Sequence, residues 1–302
     1  MKNQTIGVEI EMTGITKAKA AEVTESFLEG RIAREYDGYD TYKIIARDQR
    51  VWKIMNDASI KTMKNINGKL EKISSKDYSV ELVTPILIYE DIEILQELIR
   101  RLRKAGAVSK SEFQCGIHIH IGAKKHTPNT LKNLVNLMAA KEDLIYKSLE
   151  IDLERVRWCK KVNENLIEAI NKKKPKTLEQ LADIWYSDYG VENRDRHYHT
   201  SRYHGLNLHS TFTKGTIEFR LFNGTLHAGK IRSYIVFCMA ISYQALTQKS
   251  ASARRTYTDN EKYTFRCWLL RLGLIGDEFK NCRMHLMKAL GGNSAWRNPS
   301  VA

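Results

Sequence analysis

Apolar and polar residues alternate singly over residues 5–12, with Ile6, Val8, Ile10 and Met12 on one face and Gly7, Glu9 and Glu11 on the other. Successive strand residues point to opposite sides, so this pattern predicts a half-buried strand. The same period recurs at 78–84, stopped by Pro85, and at 115–122, where Ile117, Ile119 and Ile121 alternate with His118 and His120. It returns at 205–209 and 216–222, two predicted strands joined by a turn near Lys214 and Gly215. A helical period marks 91–105, where Ile92, Leu95, Leu98, Ile99 and Leu102 form one stripe, Asp91 stands ready to cap and Gly106 to stop the helix. Helical patterns also cover 17–35, 128–170, a short run at 177–186, and 229–247. Residues 36–51 read as a turn and then a strand. Thr258 and Glu261 have capping-box spacing ahead of two helical runs broken near Gly273 and Gly276. Strands and helices intersperse without regular β-α-β alternation, which predicts an α+β fold.

The polar faces of these strands carry an unusual chemistry. Glu9 and Glu11 share a face, as do His118 and His120, Asn207 and His209, and Glu218 and Arg220; Glu81 sits between apolar Val80 and Leu82. A solvated sheet face would carry Lys, Thr, Ser and Gln instead. Taken singly, an E-x-E or H-x-H pair, or a Glu218–Arg220 cross-strand ion pair, is as well explained by structure alone. Taken together on five strands, they predict a convergence of carboxylates. Such a convergence raises like-charge repulsion, which a bound divalent cation removes. Oxygen-rich donors with one histidine suit magnesium or manganese better than zinc.

Composition narrows the class. Charged residues make up 28% of the 302-residue chain and hydrophobic ones 42%, as in an ordinary globular protein. No stretch reaches the ~18 apolar residues of a membrane span, and the N-terminal residues lack a signal-peptide core, so a cytoplasmic protein without membrane contact is the expectation. Five scattered cysteines without a C-x-x-C pair suit buried, reduced thiols. Net charge is +14, concentrated at 155–176 and after Lys249, which is either a solvated lysine-rich surface or one that attracts nucleic acid or another polyanion. No P-loop motif G-x-x-x-x-G-K-[ST] occurs.

At the residues just described the chain resembles the amidoligases of the carboxylate–amine ligase group, relatives of glutamine synthetase and glutamate–cysteine ligase. The matching pieces are G-V-E-I-E-M (7–12), W-K-I-M-N-D-A-S-I (52–60), V-E-L-V-T-P-I (80–86), C-G-I-H-I-H-I-G (115–122), Y-H-G-L-N-L (203–208) and T-I-E-F-R-L-F-N-G-T-L (216–226), in the family's order. The resemblance implies a glutamine-synthetase-like, curved, mostly antiparallel sheet, with helices on its convex face and the active site on its concave face. It implies ATP and two or more Mg2+ or Mn2+ ions as cofactors, and a small-molecule or peptide carboxylate and an amine as substrates, joined through an acyl phosphate. Glu9, Glu11, Glu81, His118 and Glu218 would be metal ligands. Asp57 is a further candidate beside Ser59, a cofactor contact, although Ala58 stands where the family's turn has glycine. His120 would lie near the ATP phosphates, and Arg220 would bind the transferring phosphoryl group or the substrate carboxylate. Arg202, Tyr203 and Asn207 would line the substrate pocket. Residues 1–248 are then expected to form the catalytic domain, with a basic, mostly helical insertion near 154–204, and 249–302 a basic helical segment packed on it.

Two other readings stay open at this point. A metal-dependent hydrolase or oxygenase could use the His118–His120 pair, although no H-E-x-x-H motif occurs. A basic nucleic-acid-binding protein would use the charge but leave the acidic strand faces unexplained. A ligase acting on a nucleic-acid-linked substrate would combine both features.

Overall fold

Alternation at the N-terminus becomes strand β1 (Ile6–Met12), followed by helix α1 (Lys17–Leu28). The structure, a computed structural model, describes residues 1–189, 193–196 and 198–297; residues 190–192 and 197 of the expected insertion, and 298–302 of the tail, lie outside the described residues. Strands β2 (Arg31–Glu35), β3 (Thr41–Ile45), β4 (Val51–Met55), β5 (Met63–Ile66), β6 (Lys69–Lys72) and β7 (Val80–Val83) come next, then helix α2 (Ile92–Lys104) and strand β8 (Gly116–Gly122). The second half of the chain is mostly helical: α3 (Pro128–Ser148), α4 (Leu153–Val156), α5 (Glu164–Lys173) and α6 (Leu178–Tyr186). Strand β9 (Leu206–Asn207), helix α7 (His209–Lys214), strand β10 (Thr216–Asn223) and helices α8 (Ala228–Thr247), α9 (Glu261–Arg271) and α10 (Lys280–Met287) complete it. The fold is α+β, as expected.

The chain divides into two compact units, one of residues 2–119 and 222–232, the other of residues 1, 120–221 and 233–302. In the first unit the strands run in the order β2-β3-β4-β7-β1-β8. Pairing is antiparallel from β2 through to β1. Ile6, Val8, Ile10 and Met12 are all buried, as are Ile44, Trp52, Ile54, Val80 and Leu82. Helix α1 packs on β2–β4 and against α2. The predicted stripe of α2 is wholly buried. Each such Leu or Ile contributes about 1.5–3 kcal/mol of burial.

In the second unit, β9 pairs antiparallel with β10 through Glu218 opposite Asn207 and Phe219 opposite Leu206. Leu131, Leu134, Val135 and Met138 of α3 are buried, as the pattern predicts. An extended stretch precedes α9 and runs along α3: Asn136 Nδ2 donates to the Ala251 carbonyl at 2.9 Å and Thr256 N–H to that of Ala140 at 3.0 Å.

Several local expectations change. The helical pattern of 17–35 ends at Leu28, because Glu29 turns left-handed (φ 48°) and starts the reversal into β2. Residues 128–170 form three helices, not one. The predicted strand 205–209 is cut to two residues, and His209 opens α7, so Asn207 and His209 do not share a strand face. Helix α7 replaces the expected simple turn, with Gly215 closing it at φ 70°. Asn260, not Thr258, caps α9, accepting from Tyr263 N–H at 3.1 Å. Asp91 holds the N-cap position of α2 but makes no capping bond to it. Its carboxylate instead takes both Arg50 Nη atoms, at 2.6 and 2.9 Å, and the Ile88 N–H.

Candidate active site

The polar faces of the first unit's central strands are not solvent faces. Glu11, Glu81 and His118 are 4%, 8% and 5% exposed. Period-two alternation thus separates two buried surfaces, one apolar and one chemical, where a half-buried strand was expected. Antiparallel register sets Glu11 directly opposite Glu81, with Met55 on the far side of Glu81. Strand β8 brings His118 beside both glutamates of β1: Nδ1 lies 3.0 Å from Glu9 Oε2, and Nε2 lies 3.7 Å from Glu11 Oε1. Glu11 Oε2 accepts the Gly116 N–H at 2.6 Å.

Asp57 enters from the turn after β4. Its Oδ1 accepts from Ser59 N–H at 2.7 Å and from Ser59 Oγ at 2.5 Å, so Ser59 braces Asp57. The turn is tied to the start of β7 through Ser79 Oγ, which accepts Asp57 N–H at 3.1 Å. Two donor sets result. One ligand atom each from Glu9, Glu81 and His118 lie within 4.8 Å of one another, and so do atoms from Glu11, Asp57 and Glu81. Both sets are oxygen-rich and could hold a hard divalent cation.

In the second unit, Glu218 and Arg220 share a face of β10 and are 3% and 6% exposed. Arg220 Nη1 donates to Glu218 Oε1 at 2.5 Å, and Asn207 Nδ2 donates to Glu218 Oε2 at 2.7 Å. Arg155 Nη2 donates to the Arg220 carbonyl at 3.1 Å. His120 Nδ1 lies 2.9 Å from Thr216 Oγ1, which in turn meets Ser210 Oγ at 2.9 Å. Arg202 stacks its guanidinium over Tyr198 (5.3 Å), and Tyr203 meets Trp158 edge-on (5.1 Å).

A buried His–Tyr cluster backs this group. Tyr186 Oη lies 2.6 Å from His209 Nδ1, and His209 Nε2 lies 3.1 Å from the Arg196 carbonyl. A carbonyl only accepts, so Nε2 carries the proton and Nδ1 accepts from the tyrosine. Burial, and then the neighbouring His199, push the His209 pKa down to about 4, consistent with a neutral ring. Burial likewise pushes Tyr186 up to about 12, so the phenol remains a donor.

Thus Glu9, Glu11, Glu81, His118, Asp57 and Ser59 gather in the first unit, and His120, Asn207, Glu218 and Arg220 lie on adjoining segments of the second. Sequence reading missed Arg155, counted there as surface charge but 5% exposed, and the Thr216–Ser210 and Tyr186–His209 pairs. No periodic signal marks these residues.

The chain is thus α+β, with buried carboxylates facing each other across antiparallel strands. Residues 2–242 match the family described as putative amidoligase enzyme, and the chain belongs to that family. Membership makes it a ligase-type enzyme. No curated protein matches the chain. No helix among the described residues is long and apolar enough to cross a membrane.

Proposed function

We propose that the chain is an ATP-dependent carboxylate–amine ligase of the glutamine-synthetase-like kind. The observation that carries this reading is the buried pair Glu11 and Glu81, directly opposed on neighbouring strands with Asp57 within ligand reach. Opposed carboxylates repel, and a divalent cation turns that cost into binding energy. Glu11, Asp57 and Glu81 would hold one magnesium or manganese ion, Glu9, Glu81 and His118 a second, and Glu218 would serve as a further metal ligand. Bound ions would neutralise the β- and γ-phosphate oxygens of ATP and align the γ-phosphoryl group.

The protein's remaining work is positioning and charge stabilisation. A substrate carboxylate oxygen bonds to the γ-phosphorus while the bond to the bridging oxygen breaks and ADP leaves. The neutral amine nitrogen then bonds to the acyl carbon, phosphate departs and the amine loses a proton. Arg220, held by Glu218, would stabilise charge on the transferring group, and His120 would act near the phosphates. No serine or cysteine nucleophile is needed.

Incubation with ATP, Mg2+ and pooled carboxylates and amines should release ADP and phosphate. Glu11→Gln or Glu218→Gln should lower that release about a hundredfold or more with the fold retained. Full turnover in either folded variant would overturn the reading.

A further inference from the structure

Asn207 carries two polar groups, and the structure accounts for both. Its Oδ1 accepts the His209 backbone N–H at 2.9 Å. A backbone N–H only donates, so the amide orientation is fixed: oxygen toward His209, nitrogen toward Glu218. The nitrogen meets Glu218 Oε2 at 2.7 Å, while Arg220 takes Oε1 at 2.5 Å. Each oxygen of the Glu218 carboxylate therefore has its own donor, which fixes the rotation of the plane. Asn207 is 1% exposed and His209 4%, so solvent cannot substitute for either link. His209 is itself pinned by the Tyr186 phenol at the end of α6 and by the Arg196 carbonyl.

We propose that Asn207 is a positioning residue for Glu218, not a substrate-pocket residue, and that Tyr186 and His209 extend this support into the 154–204 segment. This rests on the reading of Glu218 as a metal ligand. The support acts through the register of β9 on β10, where Asn207 sits directly opposite Glu218. Donors on both oxygens hold the Glu218 carboxylate in one orientation, as the outer partners of a metal ligand do.

The test titrates Mn2+ into the intact, nucleotide-free chain by calorimetry, in parallel with KM for the carboxylate substrate. Asn207→Ala should weaken Mn2+ binding about tenfold, the scale on which partners of metal ligands act. Tyr186→Phe, which keeps the ring and removes one hydrogen bond, should weaken it about two- to tenfold. His126→Gln, a change at a buried histidine of the same unit outside this network, controls for general destabilisation. It should lower Tm without altering Mn2+ affinity. Unchanged Mn2+ affinity in both test variants, whether with a raised carboxylate KM or with a lowered Tm alone, overturns the proposal. Should Asn207→Ala fail to fold, Tyr186→Phe decides the matter by the same criterion. A wild-type chain that binds no Mn2+ removes the metal reading itself, and the proposal with it.

Discussion

At the scale of single residues, Glu81 carries the sharpest conflict between stability and use. It faces Glu11 across a strand pair, and both are buried. Evolved sites tolerate such conflict where function needs it, and relieving it stabilises the empty protein. Glu81→Gln keeps the volume and removes one charge. In chelator it should raise Tm by a few degrees, corresponding to roughly 0.5–2 kcal/mol. The same variant should lose most of the Tm rise that Mn2+ gives the wild type. Scanning fluorimetry with and without the ion reads both effects; a variant less stable than wild type in chelator would mean the pair is not repulsive. The glutamates and His118 were legible because a strand's period of two assigns faces without tertiary knowledge. The work of Asn207 was not, since its partner follows from strand register, which the local sequence does not encode. Arg155 was hidden by its neighbours: a run of cations reads as surface, yet this one side chain turns inward to the Arg220 carbonyl.

At the scale of elements, long periodic segments declared themselves and short ones did not. Helix α2 has a complete apolar stripe, and its length leaves little ambiguity. Strand β9 is two residues long, too short for alternation to define. The β5–β6 ribbon turns at Asn67 and Gly68, both at positive φ, a local signal that periodicity overlooks. Asp91 illustrates a different limit. Sequence spacing assigned it to the cap of α2, but a bidentate Arg50 from the turn before β4 competes for the same carboxylate and wins. Burial acts to raise the Asp91 pKa, while Arg50 and the Ile88 N–H outweigh it and hold it below the ordinary range. Its contribution is therefore present above the ordinary carboxylate range and is lost as pH falls through the depressed value. Asp91→Ala should cost about 1–3 kcal/mol in urea unfolding, more than the ~0–1 kcal/mol of an exposed pair. A double-mutant cycle with Arg50→Ala should return a coupling above about 1 kcal/mol; a coupling near zero would leave Asp91 a mere helix start.

At the scale of the whole molecule, the balance of buried titratable groups sets the response to acid. Burial is the leading cause that holds His126 down to about 4, His209 down to about 4, and His199 and His204 below the ordinary value. Each is neutral when folded and takes up a proton more readily when unfolded. The unfolded chain therefore binds more protons between roughly pH 4 and 6.5, and stability falls as pH drops through that window. Glu142 acts in the opposite sense: burial raises it to about 7, so it favours the folded state below its ordinary range and loses that contribution as pH rises towards 7. Four histidines oppose one carboxylate, so the loss towards acid pH prevails. The chain should therefore melt at a clearly lower temperature at pH 5 than at pH 7.5. His126→Gln isolates one group. The wild-type ring sits between the hydroxyls of Thr130 and Ser242, at 3.1 and 3.0 Å, both of which a neutral amide can also meet. The variant should be flatter than wild type across pH 5–7.5, by up to about 2 kcal/mol. Thermal melts of the two proteins across that range measure the difference, and parallel curves would mean that folding leaves the proton affinity of His126 unchanged.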